Sequence, residues 1–159
     1  MITFPIGTSG QKLAFADNVL ARFRRYQQMR WWHREAGGQL FARVRDGWIE
    51  VAEATGPRRT DRRSRTSYEP DPRAEQREID ERFPLGLHFV GDWHTHPEDR
   101  PSPSLIDTRS TAEGVRRSFH SLHAFVMVIV GRGVFPEALH VSVHDGEALY
   151  LLRASAYGP

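Results

Sequence analysis

The sequence predicts an α/β (α+β) fold: a single domain over residues 1–159 in which a mixed β-sheet is flanked by helices. Three observations carry this. Stretches of helical period alternate with stretches of strand length, which fits neither an all-α nor an all-β arrangement. Two Asp-Gly pairs, at 46–47 and 145–146, each lie between short apolar runs and mark β-hairpins. A continuous apolar run, AFVMVIV at 124–130, suits a strand covered on both faces.

Taken in order, strands are expected around 2–4 and 12–16, on either side of the breaker GTSG. Asp17 is placed to cap a helix in which Val19, Phe23, Tyr26 and Met29 recur at helical spacing and which ends before Trp31. The first hairpin follows, 39–44 and 48–54, with Asp46-Gly47 suited to a type I′ turn, which needs positive φ at both central residues. Gly37-Gly38 before it leaves permissive backbone beside Glu35. Residues 56–70 have no periodicity and read as a loop, whose PRRTDRRSR run is expected to be solvated and mobile. A helix over 72–82 has Asp71 as its cap and Pro72 in its first turn. Residues 88–94 form a strand and 104–119 a helix with Thr108, Ala112, Val115 and Phe119 on one face. After the buried strand, 138–143 and 147–152 flank the second Asp-Gly pair, and no internal repeat appears.

Composition narrows the function classes. With 159 residues, 39% of them hydrophobic, the chain has enough apolar material for one core and too little length for two comfortable domains. It contains no apolar run of membrane-spanning length and its N-terminus lacks the pattern of an export signal, so a cytoplasmic location without membrane contact is expected. The absence of cysteine excludes disulfides, thiolate nucleophiles and cysteine-held metals. The formal net charge is only +2, and no aromatic residue interleaves the arginines at 57–65, so nucleic acid is not an expected partner.

Chemistry concentrates in HTHPEDRPSPSLID at 94–107. Residues two apart on a strand face the same way, so His94 and His96 can aim two imidazoles at one point while Trp93 and Thr95 face the other side. Pro97 ends the strand pairing, and a helix beginning at Ser104 brings Asp107 round as a third, carboxylate ligand. Two imidazoles and a carboxylate suit one zinc ion with its fourth position left to water, whose pKa zinc lowers to about 7. Glu35 is the candidate general base and Ser104 the candidate donor to a developing oxyanion. Ser104 and Asp107 also fit a capping box, a role that can coexist with chemistry. Asp92 shares the strand face of the two histidines and is expected to orient one of them. His33, His88, His120, His123 and His140 show no partner spacing, and Trp31-Trp32 reads as core and surface packing.

EAGGQLF at 35–41 and GDWHTHPEDRPSPSLID at 91–107 together resemble the JAMM motif, E…H-x-H-x7-S-x2-D, of the JAB/MPN metalloprotease superfamily (the MPN+ type). All five functional positions are present at the required spacing. The resemblance implies a fold similar to cytidine deaminase, zinc on His94, His96 and Asp107, Glu35 as the base and Ser104 as the oxyanion stabiliser. It further implies cleavage after the C-terminal glycine of a ubiquitin-like protein, either to deconjugate it or to process its precursor. The compact chain is similar to the deubiquitinase-like JAB peptidases encoded beside ubiquitin-transfer-like enzymes in CBASS anti-phage operons. Such an enzyme and its target are then further partners. Two other functions fit the same resemblance: maturation of a sulfur-carrier protein for cysteine or cofactor biosynthesis, and a non-catalytic MPN scaffold, against which retention of all five residues argues. In the enzyme reading the substrate tail adds as a strand beside the sheet. Residues 56–70 then act as a flap whose deletion raises KM more than it lowers kcat.

Overall fold

The computed structural model describes residues 1–117 and 124–155. Ten strands and three helices occur there in the order β1 (Ile2–Pro5), β2 (Lys12–Phe15), α1 (Asp17–Tyr26), β3 (Gly37–Arg45), β4 (Trp48–Ala54), β5 (Arg62–Arg63), β6 (Tyr68–Glu69), α2 (Pro72–Arg82), β7 (His88–Thr95), α3 (Leu105–Arg117), β8 (Phe125–Val130), β9 (Leu139–His144) and β10 (Leu149–Leu152). Eight strands form one mixed sheet, ordered β1-β2-β4-β3-β7-β8-β9-β10, and β5 and β6 form a separate ribbon. The mixed α/β class expected from the sequence is the one observed.

Helix α1 covers one face. Its Val19, Leu20 and Phe23 are buried, and Phe23 packs between Phe15 and Trp93 with ring centroids 6.0 and 5.1 Å away. Val126, Val128 and Val130 of β8 join this core. On the opposite face Met127 accepts a contact from the Thr111 hydroxyl of α3, and Gly114 of α3 lies against the Phe125 ring. The apolar run at 124–130 is therefore covered on both sides because a helix lies on each.

Three local expectations change. Ala16, not Asp17, occupies the cap position of α1 and makes no side-chain capping bond; Asp17 sits in the first turn, where its carboxylate suits the helix dipole and takes the N-terminal ammonium of Met1. The helix stops at Tyr26, because the Gln27 amide donates to the carbonyls of Gly131 (2.8 Å) and Gly133 (2.9 Å) and leads the chain away, leaving Met29 exposed. Residues 56–70, expected as a loop without regular structure, hold the ribbon β5–β6. Arg58 is the reason: its guanidinium meets Glu78 of α2 at 2.6 and 2.7 Å, and Asp61 accepts both the Tyr68 hydroxyl (2.8 Å) and the Asp71 amide (2.9 Å).

Asp71 caps α2 as expected, accepting the Arg73 amide at 3.0 Å. Asp46 and Gly47 both have positive φ, 42° and 81°, between the paired Arg45 and Trp48. The second hairpin forms with different chemistry. Its pairing begins at Leu149 and His144, and the Asp145 carboxylate closes the longer loop by accepting the Glu147 and Ala148 amides at 2.8 Å each. The expected extension of α3 to Phe119, like His120 and His123, lies outside the described residues.

Candidate metal centre and active site

The site is assembled at the junction of β3, β7 and the start of α3. Antiparallel pairing sets Gly37 opposite His94 and Gly38 opposite Trp93, and the Thr95 amide donates to the Ala36 carbonyl at 2.8 Å. Continuing that register places Glu35 beside His96. The two glycines make this close approach possible: a Cβ at Gly37 would lie 2.6 Å from the Trp93 carbonyl and the Tyr68 ring, and one at Gly38 only 1.9 Å from the Thr55 carbonyl.

Glu35, His94 and His96 offer ligand atoms that all lie within 4.8 Å of one another. Asp107 closes on both histidines, Oδ1 at 3.2 Å from His94 Nε2 and Oδ2 at 3.3 Å from His96 Nε2, while the two Nε2 atoms are 3.1 Å apart. Ligand atoms about 2.0 Å from a shared tetrahedral ion stand about 3.3 Å from each other. The donor set thus fits a divalent ion held by two imidazoles and a carboxylate. Glu35 Oε1, 3.8 Å from His96 Nε2, stands one step farther out.

Local structure aims each group. Ser104 and Asp107 form the reciprocal cap of α3: the Ser104 amide donates to Asp107 Oδ2 at 2.7 Å and the Asp107 amide to Ser104 Oγ at 3.1 Å. The cap fixes the carboxylate in front of the histidines. It uses Ser104 Oγ as an acceptor, so the hydroxyl proton of this cleft-lining residue is left free for another partner. Glu98 Oε1 meets His96 Nδ1 at 2.9 Å and so orients the ring with Nε2 inward. Glu98, not Asp92, is the orienting residue. The Asp92 side chain makes no hydrogen bond or ion pair among the described residues; it lines the cleft beyond the histidines.

Glu35 is held by its backbone. Its amide donates to Ser64 at 2.7 Å and its carbonyl accepts Arg63 Nε at 2.6 Å, so the β5–β6 ribbon grips it from both sides. Behind it, buried Thr95 accepts the Ala36 amide at 2.9 Å and donates to buried Gln28, whose amide reaches the Arg65 carbonyl at 2.8 Å. Sequence reasoning missed Glu98, Gln28, Thr95 and Arg63 in these roles. Only Glu98, two residues past His96 and followed by no strand pairing, left a readable signal.

The electrostatics are uneven. Burial pushes the Glu35 carboxyl up to about 7, with Asp107 adding to the push and His96 opposing it. Burial would also raise Asp107, but bonds from His94 and His96 outweigh it and hold its carboxyl far below the usual range. For His96, burial disfavours the charged ring, yet Asp107, Glu35 and Glu98 together raise its pKa. The surrounding protein raises Asp92 to about 8, with Glu75 contributing; because Asp92 opens onto water through the cleft, this shift weighs less than that of buried Glu35. His140, bonded to Ser142, has its pKa lowered by burial and by His94.

A family model described as prokaryotic homologs of the JAB domain matches residues 17–142. The chain belongs to this family. Three proteins named "CD-NTase/cGAS isopeptidase" are similar to this JAB-family chain. The Pseudomonas aeruginosa protein is 31% identical over 92% of this chain and 89% of its own length. Those of Vibrio cholerae (33%, covering 74% and 75%) and Escherichia coli (32%, covering 73% and 74%) match over shorter spans. The solution structure of protein DSY2949 from Desulfitobacterium hafniense is similar in fold, with a TM-score of 0.63 at 16% identity over 87% of this chain and 88% of that one.

Proposed function

We propose that this JAB protein is a zinc-dependent isopeptidase of the bacterial cytoplasm that acts in anti-phage defence. It cuts after the C-terminal glycine of a ubiquitin-like protein, or of a CD-NTase attached in the same manner, and frees it from its conjugate. The observation that carries the reading is the convergence of His94, His96 and Asp107 at ligand spacing with Glu35 one step beyond them. The relatives' name supports the conjugate: an isopeptide bond joins a C-terminal carboxyl to a side-chain amine, and a CD-NTase is the protein named.

His94, His96 and Asp107 hold the ion. Bound there, zinc would supply a water of lowered pKa and Lewis-acid polarisation of the scissile carbonyl. Glu35 receives the proton of the attacking water and passes it to the departing lysine amine. Ser104 donates its free hydroxyl proton to the oxygen that gains charge. Glu98 keeps His96 in the ligating orientation. No described helix is long and apolar enough to cross a membrane.

The test is hydrolysis of a ubiquitin-like protein and of a CD-NTase, each with a glycine-ended tail joined to a lysine-bearing reporter. Wild type cuts one or both, chelation stops it, zinc restores it, and Glu35→Ala binds zinc without cutting. A wild-type protein that carries stoichiometric zinc and cuts neither overturns the reading.

A further inference from the structure

The cleft and its bank differ in the residues they present. Glu35, Glu75, Asp92, Glu98 and Asp107 line the cleft beside His94 and His96, and no Arg or Lys is among the lining residues. The bank, formed by residues 29–34 running directly into Glu35, carries arginine and exposed indole. Trp31 is 76% and Trp32 60% exposed, which corrects their expected place in packing. Their rings meet edge to face at 5.8 Å, and the Arg30 guanidinium lies 5.9 Å from the Trp32 ring. Arg65 of the ribbon donates to the Trp31 carbonyl and joins the two segments into one surface. Among the described residues, Arg30, Arg34 and Arg65 pair with no carboxylate.

We propose that this bank docks the folded body of the protein whose tail enters the cleft, and that the body presents an acidic surface around an apolar patch. The inference rests on the peptidase reading and extends it to substrate choice. Trp and Arg are the residues that dominate binding at protein interfaces, and a pair of indoles left in water beside an active site is a contiguous anchor of that kind. Unpaired guanidiniums select an acidic counter-surface and speed its approach. The bank is continuous with Glu35, so a chain leaving the cleft on this side emerges against it. Nucleic acid fits less well, because indoles at 88° to each other give no pair of parallel stacking platforms.

Two substrates with one tail separate docking from chemistry: an intact CD-NTase carrying a C-terminal reporter, and a ten-residue peptide of its tail with the same reporter. On the intact protein, the double variant Trp31→Ala/Trp32→Ala loses about tenfold or more in kcat/KM, through KM, while the peptide is cut within about twofold of wild type. Arg30→Glu/Arg34→Glu gives the same split and flattens the salt dependence of kcat/KM. Equal losses on both substrates, or no loss on either, overturn the proposal, as does a wild type that prefers the intact protein no more than the peptide. If wild type cuts neither, the peptidase reading fails by itself. Fluorescence anisotropy of the labelled CD-NTase then decides docking, with binding lost in the Trp variant supporting it and unchanged binding ending it. Tight, Trp-dependent binding of a labelled single-stranded oligonucleotide, without CD-NTase binding, assigns the surface to nucleic acid instead.

Discussion

At the scale of single residues, the site divides its labour between holding an ion and moving a proton. Glu35→Gln is expected to lower kcat by about 10²- to 10⁴-fold, the range for a lost general base, with zinc content unchanged by metal analysis. Loss of zinc in that variant would make Glu35 a ligand instead. Glu98→Ala frees His96 Nδ1 and is expected to weaken zinc affinity by about tenfold or more in a competition titration. His94, His96, Ser104 and Asp107 were legible because strand parity and one helical turn fix their relative positions locally. No local rule places Glu35, whose position depends on the pairing of β3 with β7; it was named from the need for a base and its Gly-Gly neighbours, and the motif agreed. Asp92 was misassigned for a related reason, since sharing a strand face does not bring a side chain to its neighbour's outer nitrogen.

Among the elements, the β5–β6 ribbon was the least legible. Its order comes from Arg58 meeting Glu78 on a later helix and from Arg63 and Ser64 meeting the Glu35 backbone, contacts that no local pattern announces. The structure therefore revises the expected consequence of removing it. Deletion of residues 59–67 is expected to lower kcat as well as raise KM, and Arg63→Ala alone to lower kcat by about tenfold with little change in KM, given the about 1.5–3 kcal/mol that a charge-assisted hydrogen bond contributes. Steady-state kinetics on the peptide substrate checks both, and an Arg63→Ala enzyme with wild-type kcat would remove the grip from the account. Gly38→Ala drives a Cβ into the Thr55 carbonyl and is expected to destabilise the fold by about 3 kcal/mol in denaturant unfolding. The first hairpin was readable because Asp-Gly with positive φ is a two-residue rule; the second needed the Asp145 carboxylate to close a longer loop, which the same dipeptide does not reveal.

For the molecule as a whole, the metal-free site imposes a pH dependence on stability. Below pH 4.5, its ordinary value, Glu35 is protonated in both folded and unfolded chains. Between there and about 7 the unfolded chain releases its proton first, so the folded state loses stability as pH rises. Glu75, raised to about 7 by burial, acts in the same sense, and so does Asp92 to a lesser degree. His96, raised on folding, stabilises at low pH and withdraws that contribution as pH climbs through its folded value. Asp107 has the opposite sign, but its contribution is complete above its ordinary value of 3.8 and leaves this window untouched; His140, lowered by burial, opposes the trend up to its ordinary value of 6.5 and is outnumbered by Glu35, Glu75 and His96. Thermal melts of chelated protein are expected to show a falling Tm from about pH 5 to about pH 8, with zinc adding most at the upper end, because the ion reverses the cost of ionising the site. A Tm that rises over this range without metal would contradict the electrostatics described.

Asp107 faces two ways, toward the histidines and back to the amide of Ser104. The peptide hydrogen of Ser104, just ahead of α3, is therefore tied to the carboxylate that would hold the metal. Opening that end of the helix must pull the carboxylate off the ion, so hydrogen exchange at Ser104 slows on zinc loading. Occupancy can then be followed through one backbone proton in a protein that contains no cysteine and needs no label.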